Sequence, residues 1–400
     1  MSKKILIITQ NFYPELGSAG NRLKNIYLLL KQRGYDIQVL TTEPTYPSRE
    51  IYKEKLFWNE DVINKDPSVM RVSVKNKKYN SSFLSRLLYY LEIMIKMLKE
   101  IRKEPKKFDI IFVSSPPIFV AFVGLVAKFK NKSKLILDIR DLWPESLKGV
   151  KVFHHPIIVE SFRILEKLLY KKADHIVINS EGFLHYLNEH SPLVKEKVTF
   201  IPNSAREKEL LISSNDAKTA LKIIYVGNIG LAQNVHIIRN LAEKLHEHQI
   251  EFLIVGYGVE KKELLNYIRE KNLMNVKIVN PMTRKECLEL MSGCDIGIVT
   301  LKDSTVFETV LPGRIIDYIT CGIPIVGSIA GYSKTIIEQE GVGLVTSNSS
   351  SEEMLANIMK IYNDPGLLKK MQKNCHKLIR ENFMWETNIE KLINVIEDTR

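Results

Sequence analysis

The stretch DIGIVTLKDSTVFETVLPGRIIDYITCGIPIVG, from Asp295 to Gly327, decides how this chain folds. It opens on a strand-length apolar run (Asp295 to Val299) and closes on another (Ile323 to Gly327). Between them Pro312 suits a helix start and Gly322 a helix stop. Apolar strands without polar alternation, separated by helices, belong to a parallel sheet covered on both faces.

The same unit recurs in both directions. Downstream of residue 221 the strand-like runs are Lys222 to Val226, Glu251 to Val255, Val276 to Val279 and Val342 to Val345, besides the two already quoted. Upstream they are Ile5 to Ile8, Ile37 to Leu40, Ile110 to Val113, Leu135 to Asp138, His175 to Ile178 and Val198 to Ile201. Helix-period segments such as Ala19 to Arg33 and Ile157 to Lys171 separate them. Pro202 to Leu221 is polar and loses the strand rhythm, and beyond Asp364 the chain reads as helical throughout. The fold class is therefore α/β, with two doubly wound Rossmann-like domains: residues 1–203, residues 204–384, and a final helix, 385–400, packing back toward the first. Ligands of open parallel sheets bind beyond the carboxyl ends of the strands. Two such domains facing each other make an interdomain cleft, and the loops bordering it are where chemistry is to be sought.

Composition narrows the class. Hydrophobic residues at 45% and charged residues at 26% of 400 match ordinary globular usage and exclude a disordered chain or a polytopic membrane protein. The most apolar stretch, Ile110 to Phe129, is interrupted by Ser114-Ser115-Pro116-Pro117 and reads as strand, loop and buried helix. Four cysteines without a CxxC pair fit neither a disulfide framework nor a zinc cage, and the opening MSKKILIITQ does not read as a signal peptide, so a reducing cytoplasm is expected. The net charge of +12 favours anionic ligands. From Arg71 to Lys107, eleven basic residues stand against three glutamates among Leu87, Leu88, Ile93, Ile95 and Leu98, a pattern suited to an anionic membrane surface or to a core helix with a solvated end. Nucleic acid is disfavoured as a partner, because aromatics do not interleave the lysines as a stacking platform.

Several loops after strands carry candidate chemistry. Gly17 and Gly20 precede a helix, where backbone N–H groups could meet an anion or a sugar, or where the loop is a surface turn with an ordinary N-cap. Asn228, Gly230 and Gln233 form a glycine turn resembling a diphosphate seat, without the spacing of a dinucleotide fingerprint. Lys261 and Lys262 open a helix, where lysine opposes the dipole; a phosphate would explain them, or they are solvated surface lysines. Arg314 and Asp317 share a helix face that could take a diphosphate and a ribose diol, or could simply pair with each other. Asp138, Asp141 and Glu145 crowd around Arg140, a cluster suited to hydroxyl recognition, proton handling or an ion pair. His154, His155, His246 and His248 lack metal-ligand spacing, so no metal site is expected.

The motifs FYPELGSAGNR (Phe12 to Arg22), DLWPES (Asp141 to Ser146), GNIGLAQN (Gly227 to Asn234) and PGRIIDYITCGIPIV (Pro312 to Val326) together resemble the GT-B glycosyltransferases of family 4, over nearly the whole chain. Within that family they are similar to fucosamine-type sugar transferases of bacterial surface polysaccharides. The resemblance implies a UDP-sugar donor held by the second domain, an acceptor held by the first, closure of the two, retention of anomeric configuration, and no metal or other cofactor. Donor-binding residues would be Gly17, Asn228, Gly230, Gln233, Lys261, Lys262, Arg314 and Asp317; catalytic ones would be Asp141, Glu308 and Arg314. Asp317 falls where the family places the second glutamate of its EX7E motif; the first would fall at Thr309, and the acid here is Glu308, one place earlier. Asp141 occupies the place of a histidine many members carry. The implied activity is transfer of a sugar, such as N-acetyl-fucosamine, to a polyprenyl-diphosphate-linked acceptor in capsule or O-antigen synthesis, by a cytoplasmic protein peripheral on the inner face of the membrane. A nucleotide-sugar epimerase of similar architecture is the alternative.

Overall fold

The apolar runs form strands because a parallel sheet buries both of its faces, and continuous Ile, Val and Leu meet that demand. The computed structural model describes residues 3–75, 83–150, 156–210, 221–347 and 349–398. The chain divides into two units, Met1–Pro202 with Glu386–Arg400, and Asn203–Trp385. In the first unit the strands are β1 (Lys4–Ile8), β2 (Asp36–Thr42), β3 (Val69–Val72), β4 (Ile110–Ser115), β5 (Lys134–Ile139), β6 (His175–Ile178) and β7 (Val198–Phe200). They are all parallel, in the order β3-β2-β1-β4-β5-β6-β7. The second unit holds β8 (Lys222–Asn228), β9 (Glu251–Tyr257), β10 (Val276–Val279), β11 (Ile296–Thr300), β12 (Ile325–Ser328) and β13 (Gly343–Thr346), parallel in the order β10-β9-β8-β11-β12-β13.

Strand β3 corrects the sequence reading, which places six strands in the first half. Val69–Val72 is four residues long, lies at the sheet edge and is mostly half-buried, so it lacks the continuous apolar run of an interior strand. In each sheet the strand order reverses once, between β1 and β4 and between β8 and β11. These reversals are where helices diverge to opposite faces and leave room for a ligand.

In the first unit a buried ion pair joins the elements around its switch point. Arg22, on the helix Ser18–Gln32, donates to Asp138 Oδ1 from Nη2 at 2.8 Å and from Nε at 3.1 Å, and both side chains are 0% exposed. Its Nη1 donates to the carbonyl of Pro202, the last residue before the chain leaves the unit. The other Asp138 oxygen accepts from Ser114 Oγ at 2.8 Å, and Ser114 accepts from Arg140 Nε at 2.7 Å. Helix, β4, β5 and the exit segment are thus joined by one ion pair. A charge so buried is tolerable only while every partner stays in place.

The helix Trp385–Asp398 buries Trp385, Ile389, Leu392 and Ile396. Past Trp385 it belongs to the first unit: Tyr35 Oη donates to Glu397 at 2.6 Å, Lys3 to the carbonyl of Ile396, and Arg33 to Glu390. Of the basic segment, residues 76–82 lie outside the described residues, as do His154 and His155. Arg71 lies in β3, and residues 83–103 form the helix Phe83–Lys103, which buries Tyr89, Ile93, Met97 and Ile101 and leaves Leu88 and Ile95 about half exposed, at 55% and 49%. No helix among the described residues is long and apolar enough to cross a membrane.

Arg22→Ala is expected to destabilise the first unit by about 3–5 kcal/mol, because it strands the Asp138 carboxylate without its counter-charge. Native-state hydrogen exchange at the β5 amides reads this unit separately from the other. Undiminished protection there would show that the pair is not what holds these elements.

Candidate functional site

In the second unit the chemistry gathers where β8 and β11 part. The helix Gly313–Thr320 carries Tyr318, whose hydroxyl accepts from the Val226 N–H at 3.0 Å and donates to the Ile298 carbonyl at 3.1 Å, tying the helix to both strands. One turn earlier on that helix, Arg314 lays its guanidinium 4.5 Å from the centre of the Tyr225 ring. Arg314 Nη2 donates to the Asn228 carbonyl at 3.4 Å, and Tyr225 Oη donates to the same oxygen at 2.8 Å. Gly227, at φ +119°, lets the group come this close: a Cβ there would lie 3.2 Å from Arg314 Nη2. Arg314 Nη1 is buried and has no hydrogen-bond partner among the described residues, and the same holds of Thr300 Oγ1 at the carboxyl end of β11. A buried donor left unsatisfied costs about 1–3 kcal/mol, which an anionic ligand would recover.

The glycine turn after β8 departs from the expected diphosphate seat. The Gly230 N–H donates to Gln233 Oε1 at 3.1 Å, and a Cβ on Gly230 would meet the Asn228 amide at 2.6 Å. The Ile229 N–H donates to the Tyr257 carbonyl. Asn228, Gly230 and Gln233 therefore lie together but engage one another, and these two N–H groups are already used inside the protein. Lys261, in the first turn of the helix Lys261–Glu270, is partly buried, and burial lowers its ammonium below the usual lysine range; Lys262 is exposed.

Arg314 and Asp317 do not pair with each other. Asp317 Oδ1 accepts from Arg284 Nη1 at 2.8 Å, and Arg284 also grips Glu209 through Nε at 2.7 Å and Nη2 at 3.2 Å. Arg284 has no place in the sequence reading, although the capping box Thr283–Glu286 marks its helix start and puts an arginine where the dipole disfavours one. Glu308 ends the short helix Thr305–Glu308, its backbone against Gly331, where a Cβ would lie 2.2 Å from the Glu308 carbonyl oxygen. Its carboxylate forms no hydrogen bond or ion pair among the described residues.

The remaining sequence candidates belong to the first unit. Gly17 sits at the N-cap of the helix Ser18–Gln32 with φ 109°, in a conformation open chiefly to glycine. Gly20 lies within that helix, and its missing Cβ makes room for the Glu15 carbonyl at 2.2 Å, so this space is filled by protein and not by a ligand. The three acids after β5 separate by role. Asp138 is taken by Arg22, Glu145 by Arg163 at 2.6 Å and Lys148 at 3.1 Å, and Asp141 forms no ion pair among the described residues. Asp141 lines a cavity of about 10 Å³, room for one water, with Ser115, Trp143, Glu166 and Tyr170. Burial pushes the Asp141 carboxyl up to about 6, against the opposing pull of Ser146, the Leu142 backbone and Arg140. Glu166 is the buried acid that sequence reasoning missed. It accepts from Tyr170 Oη at 2.7 Å and Tyr186 Oη at 3.0 Å, and burial pushes it to about 7. Among the described residues no three His, Cys, Asp or Glu side chains are grouped to hold a metal ion.

Two family matches divide the chain near the boundary between its units: Glycosyltransferase Family 4 over residues 19–206 and Glycosyl transferases group 1 over residues 206–378. The chain belongs to the GT-B glycosyltransferases of family 4. Among curated proteins it is 22% identical to the putative colanic acid biosynthesis glycosyl transferase WcaI of Escherichia coli K12, over 89% of this chain and 91% of that one. It is 28% identical to a Campylobacter jejuni N-acetylgalactosaminyltransferase whose name specifies a diphospho-undecaprenol-linked substrate, over 41% of this chain and 43% of that one. Among solved structures, HepE of Anabaena, in complex with UDP and glucose, superposes with a TM-score of 0.73 at 18% identity, covering 99% of this chain and 100% of that one. The sucrose-phosphate synthase of Thermosynechococcus elongatus gives 0.74 at 15%, covering 99% and 98%.

Because the folded-state values of Asp141 and Glu166 stand above those of free carboxyls, the folded chain retains protons that the unfolded chain has lost between about pH 4.5 and 7. Their contribution is whole below that window and lost as pH rises through it. Glu166→Gln, uncharged throughout, is expected to remove a loss of roughly 3 kcal/mol between those limits. Urea unfolding of both proteins across this range checks it, and an unaltered pH slope would contradict it.

Proposed function

We propose that the protein is a retaining glycosyltransferase that moves a sugar of the N-acetyl-fucosamine type from a UDP-sugar to a polyprenyl-diphosphate-linked glycan, in the assembly of a surface polysaccharide such as capsule or O-antigen. The observation that carries this reading is Arg314, a buried guanidinium fixed at the β8/β11 switch point with one nitrogen left unpartnered. A diphosphate is the ligand such a nitrogen fits, since guanidinium–phosphate hydrogen bonds are charge-assisted and directional. The names of the E. coli and C. jejuni relatives and the UDP in the HepE structure support the reading.

In the proposed reaction the bond from the anomeric carbon to the diphosphate oxygen breaks, and its electron pair leaves on UDP. The acceptor hydroxyl oxygen bonds to that carbon on the same face and passes its proton to a leaving phosphate oxygen, a route that asks nothing of Asp141. Arg314 and Lys261 stabilise the charge growing on the diphosphate, with no metal required. Asp317 takes the ribose diol, and Glu308 faces the sugar. The protein works at the inner face of the membrane, seated on anionic lipid by Leu88, Ile95 and the basic residues of the helix Phe83–Lys103.

UDP is expected to raise the melting temperature and NAD to leave it unchanged, since only a ligand of the folded state stabilises it. EDTA should not diminish the shift, and Arg314→Ala should abolish most of it. A shift with NAD, or an equal shift in the Arg314 variant, would overturn the donor site. The paired change Leu88→Gln with Ile95→Gln is expected to reduce sedimentation with phosphatidylglycerol vesicles severalfold while the UDP shift stays intact. Unchanged sedimentation would remove the helix from the membrane reading.

A further inference from the structure

Arg284 and Asp317 each sit at the unfavourable end of their own helix. Arg284 opens the helix Arg284–Ser292 immediately after the cap Thr283, where the dipole repels a cation. Asp317 lies in the C-terminal half of the helix Gly313–Thr320, where the dipole repels an anion. Neither helix gains from its charged residue, so the placement serves the interaction between them. Glu209 takes two donors of the Arg284 fork, Nε at 2.7 Å and Nη2 at 3.2 Å, and Glu209 is itself held by accepting the Arg206 N–H at 3.0 Å. With the fork anchored in that way, Arg284 Nη1 reaches only one oxygen of Asp317, Oδ1 at 2.8 Å. Asp317 Oδ2 accepts no hydrogen bond among the described residues, and the side chain is 25% exposed. One carboxylate oxygen is thus pinned and the other is left on the accessible side, on the helix that carries Arg314.

We propose that Arg284, anchored by Glu209, is the positioning residue that sets the Asp317 carboxylate to receive the ribose diol of the donor nucleotide. The inference rests on the donor reading of this site. Arg284 itself touches no ligand; it holds one Asp317 oxygen so that the other points outward in a single rotamer. A carboxylate released from it would turn freely and lose most of its preference for a diol over a plain sugar carbon.

The test is calorimetric titration with UDP and with 2′,3′-dideoxy-UDP, which lacks the diol. The wild-type chain is expected to bind UDP at least tenfold more tightly than the dideoxy analogue. Arg284→Ala should lower that ratio to within about threefold of one, mostly through weaker UDP binding. Arg284→Lys, which keeps the charge and safeguards the fold if the alanine variant does not, should restore part of the ratio. Asp317→Asn should remove the ratio, and adding Arg284→Lys to it should change nothing further. Full discrimination in the Arg284 variants, or a wild-type chain that binds the two nucleotides equally, overturns the inference and leaves the donor site standing. A wild-type chain that binds no UDP overturns the donor reading and this inference with it.

Discussion

A strand can follow its neighbour in the same direction only if the chain first returns along a face of the sheet. All the sheet pairings here are parallel, so that constraint acts at every step. It covers both faces with helices, demands apolar strands throughout, and places all carboxyl ends of a sheet along one edge. The reversals between β1 and β4 and between β8 and β11 then fix where each edge can open. Arg314, Gly227 and Thr300 stand at one reversal, and Arg22, Ser114 and Asp138 stand beside the other.

The two reversals use arginine in opposite ways. Around Arg22 the guanidinium, the Asp138 carboxylate and the Ser114 hydroxyl are answered from within the protein, and the result is a fixed joint of helix, strands and exit segment. Around Arg314 the answer is incomplete: an aromatic face and a single carbonyl hold the guanidinium, and one nitrogen has no partner among the described residues. A satisfied network stabilises the unit that contains it, whereas a buried group left unsatisfied costs stability. Of the three acids within eight residues after β5, Asp138 and Glu145 are ion-paired, and Asp141 forms no ion pair among the described residues.

What the sequence disclosed follows from the range of the forces involved. Interior strands such as Ile110–Ser115 and Ile296–Thr300 declare themselves by composition, because burial on two faces favours a continuous apolar run and confines the polar residues Ser114, Ser115 and Thr300 to the carboxyl ends. Edge strand β3 does not, since Arg71 interrupts it and solvent reaches most of it. Arg314 was legible from its place just after Pro312. Arg284 was not, because its partners Glu209 and Asp317 lie 75 and 33 residues away, and no local pattern encodes such a meeting. Glu166 was hidden in the same way: on a helix of ordinary amphipathic spacing nothing marks an acid that faces inward, and Tyr186, one of its two tyrosine partners, comes from another helix. The glycines misled for a related reason. Gly20 and Gly230 are small because protein atoms press against them, and sequence alone cannot tell that crowding from an approach by a ligand.

The helix Trp385–Asp398 completes the unit whose other residues end at Pro202. During synthesis that first unit therefore emerges early but without its last helix, and stays so while Asn203–Trp385 is made. The surface that will cover Ile389, Leu392 and Ile396 is open to other apolar chains throughout this interval. The order of maturation is accordingly inverted with respect to the order of translation: the unit made second can close first, and the unit begun first is finished only when the helix Trp385–Asp398 has been made.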